Sequence, residues 1–450
     1  MNRWFRGAGV MPLGLCGAGA LLCVLEACSS SAETQSRLEH DPEDTKPEAG
    51  TDGDLSSDGA DDAESPSQPY DLSVQCATKP CVTQIAARGG AHACTLIEDR
   101  SVRCWGANDS GQLGIGRADG GPTSIQEGAP RRVLDIAGAV AVAAAGAGGT
   151  GTTCVILESG EVACFGSNAS GQLGGGSRSP EPEPLVVPNV RSTAIALTAT
   201  FALAVDADAR LWSWGENGRL QLAQSLTAAD AGPPEVLGAG LADRVTRAVR
   251  GAAGTLKNGF ALTDDGEVLS WGAGTTDQLG RVSSLVDEPA PKAVAVSGVS
   301  KVTGGAAHAC ALGRGSVHCW GKNARGQLGT TRKADELAPA RVVLPADVVP
   351  VDVAAGADNT CVITAKGDLY CWGANESGQL GTHPSVDQAS PVQIRGLEGE
   401  TVAVAIMDSA ICALLREGSV MCWGQNARGQ LGRGARDPDI HLDPETVVFE

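Results

Sequence analysis

Twelve of the fifteen cysteines lie in six close pairs, and this spacing favours disulfide formation. Cys94 and Cys104 are predicted to stand opposite each other across a three-residue turn centred on Asp99. Opposed residues of antiparallel strands have Cα atoms about 4.5–5.5 Å apart, which is within disulfide reach. The predicted disulfides join Cys76 to Cys81, Cys94 to Cys104, Cys154 to Cys164, Cys310 to Cys319, Cys361 to Cys371 and Cys412 to Cys422.

Buried free thiols and metal ligands are the two alternatives for these cysteines. A zinc site is disfavoured because the chain has no C-x-x-C motif and no cluster of Cys and His. Free thiols are disfavoured because two equivalent segments have lost both cysteines together and carry Leu203/Ser213 and Phe260/Ser270 instead. Six disulfides indicate an oxidising compartment.

Other residues with catalytic potential are sparse. Among the six histidines, His92 and His308 share a repeated position, which favours a structural hydrogen-bonding role. The sequence contains no G-x-S-x-G, H-E-x-x-H, phosphate-loop or dinucleotide fingerprint. We therefore predict no enzymatic activity, no cofactor and no metal, while a catalytic set assembled from distant residues stays open.

The N-terminus indicates lipid attachment. Two arginines in MNRWFR precede the apolar run GAGVMPLGLCGAGALLCVL, which has the length of a signal peptide. The run ends in Leu25-Glu-Ala-Cys28, which looks like a bacterial lipoprotein signal, although Glu26 departs from the usual residue. We predict a signal peptide over residues 1–27 and a lipid on Cys28. An ordinary cleaved signal or an uncleaved membrane anchor are the alternatives.

Residues 28–75 are predicted to form a disordered acidic linker. Residues 29–75 hold 13 acidic and 2 basic side chains and almost no large apolar group, so burial cannot offset the entropy of ordering. The chain has a formal net charge of −19, and residues 76–450 show no basic cluster. Nucleic-acid binding is not expected, because it depends on Lys and Arg to neutralise phosphates.

Seven near-copies of the motif W-G-x-N-x-x-G-Q-L-G occur along the chain. Its glycines and asparagine supply the positive-φ positions of a tight connection, so we interpret the motif as architectural. A hairpin such as CVITAKGDLYCWG precedes it, and a proline-led, β-branched run follows it. The motif aromatics are Trp105, Phe165, Trp214, Trp271, Trp320, Trp372 and Trp423.

Four short strands in each of seven repeats predict a seven-bladed β-propeller over residues 76–450, with a β-solenoid as the alternative. If the proline-led strand belongs to the next blade, the two termini share one blade. The Cys76–Cys81 disulfide would then fasten the seam.

With Gly89-Gly-Ala-His92 and Gly305-Ala-Ala-His308 upstream, these motifs resemble the regulator of chromosome condensation repeat family. The resemblance covers residues 82–450 and implies an all-β fold of seven four-stranded blades. The family includes an exchange factor for a small GTPase that is located on chromatin, a plant ultraviolet-B photoreceptor and a secreted bacterial β-lactamase inhibitor. The resemblance therefore implies a fold and leaves the function open.

We predict a non-enzymatic lipoprotein of the cell envelope, at the outer membrane or cell surface and facing an oxidising compartment. As a monomer, its propeller would bind an envelope or extracellular protein or glycan. The loops Arg117–Gln126 and Ser283–Glu288 do not follow the repeat and are the predicted contacts. The alternatives are a guanine-nucleotide exchange factor-like regulator of a small GTPase and an enzyme acting on envelope polysaccharide or peptide.

Overall fold

The seven repeats fold into seven four-stranded antiparallel sheets, each built from one continuous stretch of chain. The structure is a computed structural model that describes residues 70–116, 127–224, 232–236, 248–274, 278–283, 286–384 and 386–449. The predicted all-β propeller with seven four-stranded blades is confirmed. No helix in this described part of the chain is long and apolar enough to cross a membrane.

Within each blade the strands are hydrogen-bonded in chain order. Blade 1 comprises β1 (Val82–Ala86), β2 (His92–Ile97), β3 (Val102–Gly106) and β4 (Glu127–Arg132). Blade 2 comprises β5 (Ala139–Ala147), β6 (Thr150–Leu157), β7 (Glu161–Gly166) and β8 (Glu181–Arg191). Blade 3 comprises β9 (Ala194–Leu197), β10 (Phe201–Val205), β11 (Leu211–Gly215) and β12 (Gly232–Val236). Blade 4 comprises β13 (Val249–Gly254), β14 (Asn258–Thr263), β15 (Val268–Gly272) and β16 (Glu288–Ala293).

The remaining three blades follow the same plan. Blade 5 comprises β17 (Val299–Gly304), β18 (His308–Gly313), β19 (Ser316–Gly321) and β20 (Glu336–Arg341). Blade 6 comprises β21 (Pro350–Gly356), β22 (Asn359–Thr364), β23 (Leu369–Gly373) and β24 (Gln388–Gln393). Blade 7 comprises β25 (Thr401–Ile406), β26 (Ala410–Leu415), β27 (Val420–Gln425) and β28 (Ile440–Thr446).

The first strands of the blades surround the propeller axis. Each first strand contacts the first strand of the next blade, and β25 of blade 7 contacts β1 of blade 1. A solenoid would leave its first and last repeats apart. Ring closure therefore excludes the solenoid alternative.

The fourth strand begins before the proline that was predicted to open it. Pro130 lies inside β4, and blades 4 to 7 likewise hold a proline within the fourth strand. Each of these strands pairs with the third strand alone and is therefore an edge strand. An edge strand tolerates proline because one side of it needs no N–H donor.

The hypothesis that both termini share one blade is wrong. β28, which contains Pro444, pairs with β27 of its own repeat, and β1 pairs with β2. The termini nevertheless meet at the seam between blades 7 and 1, where the ring of Phe449 packs edge-on against Trp105 with centroids 6.2 Å apart. The Cys76–Cys81 loop lies at the same seam, and the Ala77 N–H donates to the Glu417 carbonyl at 2.8 Å.

Residues 70–75 pack against the propeller, which corrects the predicted end of the linker. The Tyr70 hydroxyl donates to the Thr401 carbonyl at 3.2 Å, and the Arg416 guanidinium lies 4.7 Å from the centroid of the Tyr70 ring. Leu72 and Val74 pack against buried apolar clusters. These alternating apolar side chains give the segment a surface to bury. The predicted signal peptide, Cys28 and the linker up to residue 69 lie outside the described residues.

The structure joins the twelve cysteines of residues 76–450 in the six predicted pairs. The five hairpin disulfides connect directly opposed residues of the second and third strands, with Cα atoms 4.1 Å apart. In blade 1 the Ile97 N–H donates to the Ser101 carbonyl at 2.9 Å and closes the predicted three-residue turn. Blades 3 and 4 keep the same register with Leu203 opposite Ser213 and Phe260 opposite Ser270.

Candidate binding face

The motif tryptophan joins neighbouring blades. Each of six indole N–H groups donates to the backbone carbonyl of the motif glutamine in the preceding blade, at 2.8–3.0 Å. In blade 6, for example, Trp372 donates to Gln327, and Leu328 packs in the same buried cluster as the indole. The donors are Trp105, Trp214, Trp271, Trp320, Trp372 and Trp423, all fully buried, and Phe165 takes the seventh place.

The polar motif side chains fold the loop onto itself. In blade 5 the Asn323 side-chain oxygen accepts the Leu328 N–H at 3.0 Å, and the Gln327 side-chain oxygen accepts the Arg325 N–H at 2.9 Å. The same two bonds recur in blades 1, 2, 3, 6 and 7. These bonds make each loop a rigid frame. The frame holds in place the motif positions whose own side chains do not take part in the bonds.

His92 and His308 each bond to a threonine of the next blade. Thr153 and Thr360 donate their hydroxyls to the carbonyls of the preceding motif glutamines at 2.9 and 2.8 Å. Each hydroxyl must therefore accept the Nε2–H of its histidine, at 3.1 Å for His92 and 2.8 Å for His308. Blades 3, 4 and 7 carry Ala202, Gly259 and Ile411 at the threonine position, and the blades before them have no histidine.

These two histidines predict an acid-sensitive fold. Burial lowers the pKa of His92 to about 4 and that of His308 to about 3, with the Arg88 charge adding to the shift at His308. Below about pH 6.5 the histidines of the unfolded chain bind protons, whereas the two buried histidines of the folded chain stay neutral. Folding stability therefore decreases as the pH is lowered. We expect each histidine to cost about 3 kcal/mol of stability by pH 4.

The test compares denaturant unfolding of the protein and of a His92→Asn/His308→Asn variant between pH 7 and 4. Asparagine already occupies this position in blades 4 and 6, where Asn258 and Asn359 donate to the carbonyls of Ala273 and Ala374. The variant should lose less stability than the parent over this interval. Equal losses would show that the imidazoles do not control the acid response.

Antiparallel connectivity divides the loops between two ends of the propeller. Consecutive antiparallel strands connect at alternate ends, so the motif loops and the axial loops between first and second strands share one end. We name this end the motif-loop face. The turns between second and third strands lie at the opposite end, which we name the hairpin face.

The motif-loop face presents side chains that the repeat does not dictate. The fifth motif residue, directly after the asparagine, is exposed at each of the six positions that the structure describes. Loops held by a rigid scaffold are the usual carriers of binding function. The six exposed residues at the fifth motif position are Asp109, Ala169, Gly218, Ala324, Glu376 and Ala427.

Arginines at the sixth motif position seal three blade junctions on this face. Arg325 of blade 5 donates to both carboxylate oxygens of Asp387 in blade 6, at 2.7 and 2.9 Å. Burial alone would raise the pKa of Asp387, but these bonds and the Arg325 charge hold it below its usual value. The other two pairs are Arg219 with Asp287 and Arg428 with Asp109.

Two carboxylates lie near the axis on the same face. Burial raises the pKa of both Asp358 and Asp408. Asp358 accepts from the Gln327 side chain at 3.2 Å, and Asp408 accepts the Gly148 N–H at 2.7 Å. Neither carboxylate forms an ion pair with another described residue, and Asp408 lines an axial cavity together with Arg88.

The predicted contact loops fare differently in the structure. Arg117–Gln126 lies outside the described residues, as do residues 284 and 285 of the second loop. For Glu288, the last residue of that loop, the predicted contact with a partner is wrong, because its side chain is buried and pairs with Arg281 at 2.9 Å. A loop residue that closes a buried ion pair holds the fold and is not free to contact a partner.

A concave site of about 700 Å³ lies on the hairpin face between blades 2 and 3. Trp212, the one tryptophan of the described residues outside the motif, lines it and donates its indole N–H to Asp206 at 2.9 Å. Burial would raise the pKa of Asp206, but the bonds from Trp212 and Arg210 lower it. The other acidic residues that line the concave site are Glu158, Glu161 and Asp208. A tryptophan outside the repeated motif was the available sequence signal for this groove, which was not predicted.

Among the described residues, one grouping has the side chains of a metal site, namely Cys76, Cys81 and Glu98. Its two sulfurs form a disulfide, and a disulfide offers no thiolate ligand.

Comparison with known proteins agrees with this architecture. Two profiles of the Regulator of chromosome condensation (RCC1) repeat match the chain. The first matches residues 82–112, 351–379 and 402–430, and the second matches 265–312, 314–363 and 366–413. The Ultraviolet-B receptor UVR8 of Arabidopsis thaliana is 31% identical over 359 residues, which cover 78% of each chain.

Solved structures include similar propellers. Prp20p of Saccharomyces cerevisiae, which binds Gsp1p and histones, has a TM-score of 0.66 at 21% identity, over 77% of this chain and 86% of that one. This likeness concerns the fold alone. Human WBSCR16 has a TM-score of 0.55 at 30% identity, over 63% of this chain and 72% of that one.

Proposed function

Because the chain belongs to the Regulator of chromosome condensation (RCC1) repeat family, we propose that it is a non-enzymatic binding scaffold of the cell envelope. A lipid on Cys28 anchors it, and the acidic linker holds the propeller away from the membrane. The motif-loop face takes a protein partner.

The exposed fifth motif residue is the observation that carries the proposal. The asparagine, glutamine and leucine around it have structural bonds in six described loops, whereas the fifth residue varies between acidic, alanine and glycine. A ring of rigidly held, variable side chains binds with little loss of conformational entropy, because the frame is ordered in advance.

The charge of the face supports a particular partner chemistry. Arg219, Arg325 and Arg428 are each engaged with an acidic residue of the next blade. Asp358 and Asp408 near the axis have no cationic partner among the described residues. We expect the partner to direct a basic side chain at the axis, since opposite charge gives orientation and speed to association.

The disulfides and the acidity argue against the exchange-factor alternative. Structural disulfides persist in oxidising compartments and are rare in the cytosol, where small GTPases act. Six are present, and the five in the hairpins are fully buried. A chain of net charge −19 without a basic cluster is also unsuited to the DNA of chromatin, because phosphate contacts depend on Lys and Arg.

Photo-crosslinking in intact cells tests the proposal. A photoreactive amino acid is placed at Ala324 or Ala427 of the motif-loop face, and matched controls carry it at Ala207 or Ala365 of the hairpin face. All four alanines are exposed. We expect one protein adduct of constant mass from the motif-loop positions and none from the controls.

Adducts from Ala207 or Ala365 alone would contradict the assignment of the face. A mutation of Asp358 and Asp408 to asparagine should also reduce adduct yield at least several-fold, since it removes the two axial carboxylates that would attract a basic side chain. Undiminished yield would show that the axial carboxylates do not contact the partner.

A glycan is the second candidate ligand, and the groove with Trp212 favours it. An aromatic ring among carboxylates that accept hydrogen bonds, in about 700 Å³, fits a short oligosaccharide. Trp212→Ala should abolish binding of envelope glycan fragments measured by calorimetry. If adducts form at the motif-loop face and calorimetry detects no binding of glycan fragments, the ligand is a protein.

A further inference from the structure

The Cys76–Cys81 disulfide differs in exposure from the other five disulfides of the described residues. Cys76 is exposed, whereas both cysteines of every hairpin disulfide are buried. Thiol–disulfide exchange begins when a thiolate attacks a sulfur that it can reach, and exposed disulfides are the labile ones. In the folded protein, Cys76–Cys81 is therefore the disulfide most open to a reductant.

The same disulfide lies outside the sheets. Its two cysteines are separated by 5 positions, and β1 begins after them at Val82. Each hairpin disulfide, in contrast, joins paired strands of one blade. Breaking the Cys76–Cys81 bond therefore leaves the strand pairing of all seven blades in place, so the chain can be reduced here without unfolding.

The loop closed by this disulfide, residues 76–81, bridges the first and last blades, and we name it the seam loop. On one side the Ala77 N–H donates to the Glu417 carbonyl in the turn between β26 and β27, at 2.8 Å. On the other side the Cys81 carbonyl accepts the Glu98 N–H in the turn between β2 and β3, at 3.0 Å. The disulfide orders the loop that makes these bonds, so it stabilises the contact between blades 7 and 1.

The burial of Cys81 sets the direction of attack. Its sulfur packs so closely against Gly418 that a Cβ added to that glycine would come within 2.6 Å of it. An incoming thiolate therefore reaches Cys76 Sγ and displaces the Cys81 thiolate. A carboxylate oxygen of Glu98 and the two sulfurs lie within 4.8 Å of one another. Lys79 pairs with Glu98, and its positive charge offsets the repulsion between that carboxylate and a thiolate.

We propose that Cys76 is a site of reversible thiol–disulfide exchange, at which a dithiol reductant opens the seam loop of the folded propeller. One thiolate of the dithiol bonds to Cys76 Sγ, the bond between Cys76 and Cys81 breaks, and the departing Cys81 thiolate takes up a proton. The second thiolate of the reductant then attacks the reductant's own sulfur in the mixed disulfide.

This second attack releases Cys76 as a thiolate, which takes up the other proton of the dithiol. Two electrons pass to the protein, and the reductant leaves as a disulfide. The site does not depend on the partner or on the lipid anchor proposed above.

Peptide mapping after brief reduction tests the site. The oxidised full chain is treated with dithiothreitol at neutral pH without denaturant, and samples taken over time are alkylated with iodoacetamide and digested. We expect Cys76 and Cys81 to be alkylated at least about 100-fold faster than any hairpin cysteine, because a buried disulfide reacts only when its blade opens. Equal rates, or faster reaction of the hairpin cysteines, would overturn the proposal.

The Tm measures what opening does to the propeller. Reduction of Cys76–Cys81 alone should lower the Tm of the full chain by about 3 °C and leave one cooperative transition. Oxidised glutathione added after removal of dithiothreitol should restore both the disulfide and the Tm. Loss of the cooperative transition, or failure of the bond to form again, would show that the exchange is not a reversible event of the folded protein.

Two variants separate the seam loop from the hairpins. Cys76→Ala/Cys81→Ala should have the Tm of the reduced parent, and brief treatment with dithiothreitol should not change it. Cys361→Leu/Cys371→Ser is the matched control, because it lacks one hairpin disulfide and keeps Cys76–Cys81, which should react at the rate seen in the parent. A Cys76→Ala/Cys81→Ala variant whose Tm falls as far as that of the parent under brief reduction would contradict the assignment.

Discussion

Replacing each of the five hairpin disulfides by the leucine–serine pair of blade 3 is expected to leave the protein unfolded at 37 °C, even though these side chains fit the same place in a folded blade. Each closes a loop with a sequence separation of 9 or 10 residues. In the chain-entropy model such a loop is worth roughly 2–3 kcal/mol. Five together contribute about 10–15 kcal/mol, which is comparable with the whole stability of a typical domain.

The substitution follows blade 3, with leucine on the second strand and serine on the third. Ser213 donates to the Leu222 carbonyl at 2.9 Å, and Ser270 of blade 4 makes the same bond to Leu279 at 2.7 Å. A serine at 371 would find the Leu380 carbonyl in the corresponding place. The change therefore removes the covalent link while it keeps a partner for the hydroxyl.

Unfolding in guanidinium measures the effect one pair at a time. Cys361→Leu/Cys371→Ser should lose about 2–3 kcal/mol of unfolding free energy, and the five-pair variant should lack a cooperative transition at 37 °C. If the five-pair variant unfolds with the midpoint of the parent, the disulfides do not hold the propeller together.

Trp423→Phe is expected to destabilise the protein more than Trp372→Phe, although both delete an indole N–H. Trp423 supplies the one hydrogen bond that the Gln379 carbonyl receives from the described residues, at 2.8 Å. The Gln327 carbonyl, which accepts from Trp372, keeps the Thr360 hydroxyl at 2.8 Å. A buried carbonyl without a donor costs about 1–3 kcal/mol.

A double-mutant cycle sharpens this comparison. Blade 2 already combines phenylalanine and threonine, since Phe165 is paired with Thr153 and the threonine donates to the Gln112 carbonyl. Ile411→Thr should therefore reduce the cost of Trp423→Phe by about 1 kcal/mol. Equal costs for both tryptophans, or no coupling to Ile411→Thr, would show that the indole acts through its volume alone. Trp423→Ala should cost about 3–5 kcal/mol whichever account holds.

The repeated part of the fold was predictable because the same pattern of strands and motif residues occurs in every repeat. Leu203/Ser213 and Phe260/Ser270 revealed the hairpin register through the joint loss of both cysteines. The boundary of a blade was not predictable in the same way. A periodic pattern fits equally well if the blade is taken to start one strand later, and only contacts at the ring closure, such as Phe449 on Trp105, remove that ambiguity.

The candidate sites depended on contacts between blades, which one repeat does not contain. The sequence assigned a structural role to His92, but its partner Thr153 lies in the next blade. Arg325 is unremarkable in its own motif and finds Asp387 only across a blade junction.

We propose that this propeller works anchored outside the reducing cytoplasm, and one measurement tests that directly. Thiols are alkylated in living cells, and the intact mass of the chain is then determined from the membrane fraction. We predict a chain that begins at a lipid-modified Cys28 and carries no alkyl group on the twelve cysteines from Cys76 to Cys422. A chain that begins at Met1 with alkylated cysteines would place the protein in the cytoplasm and contradict the account.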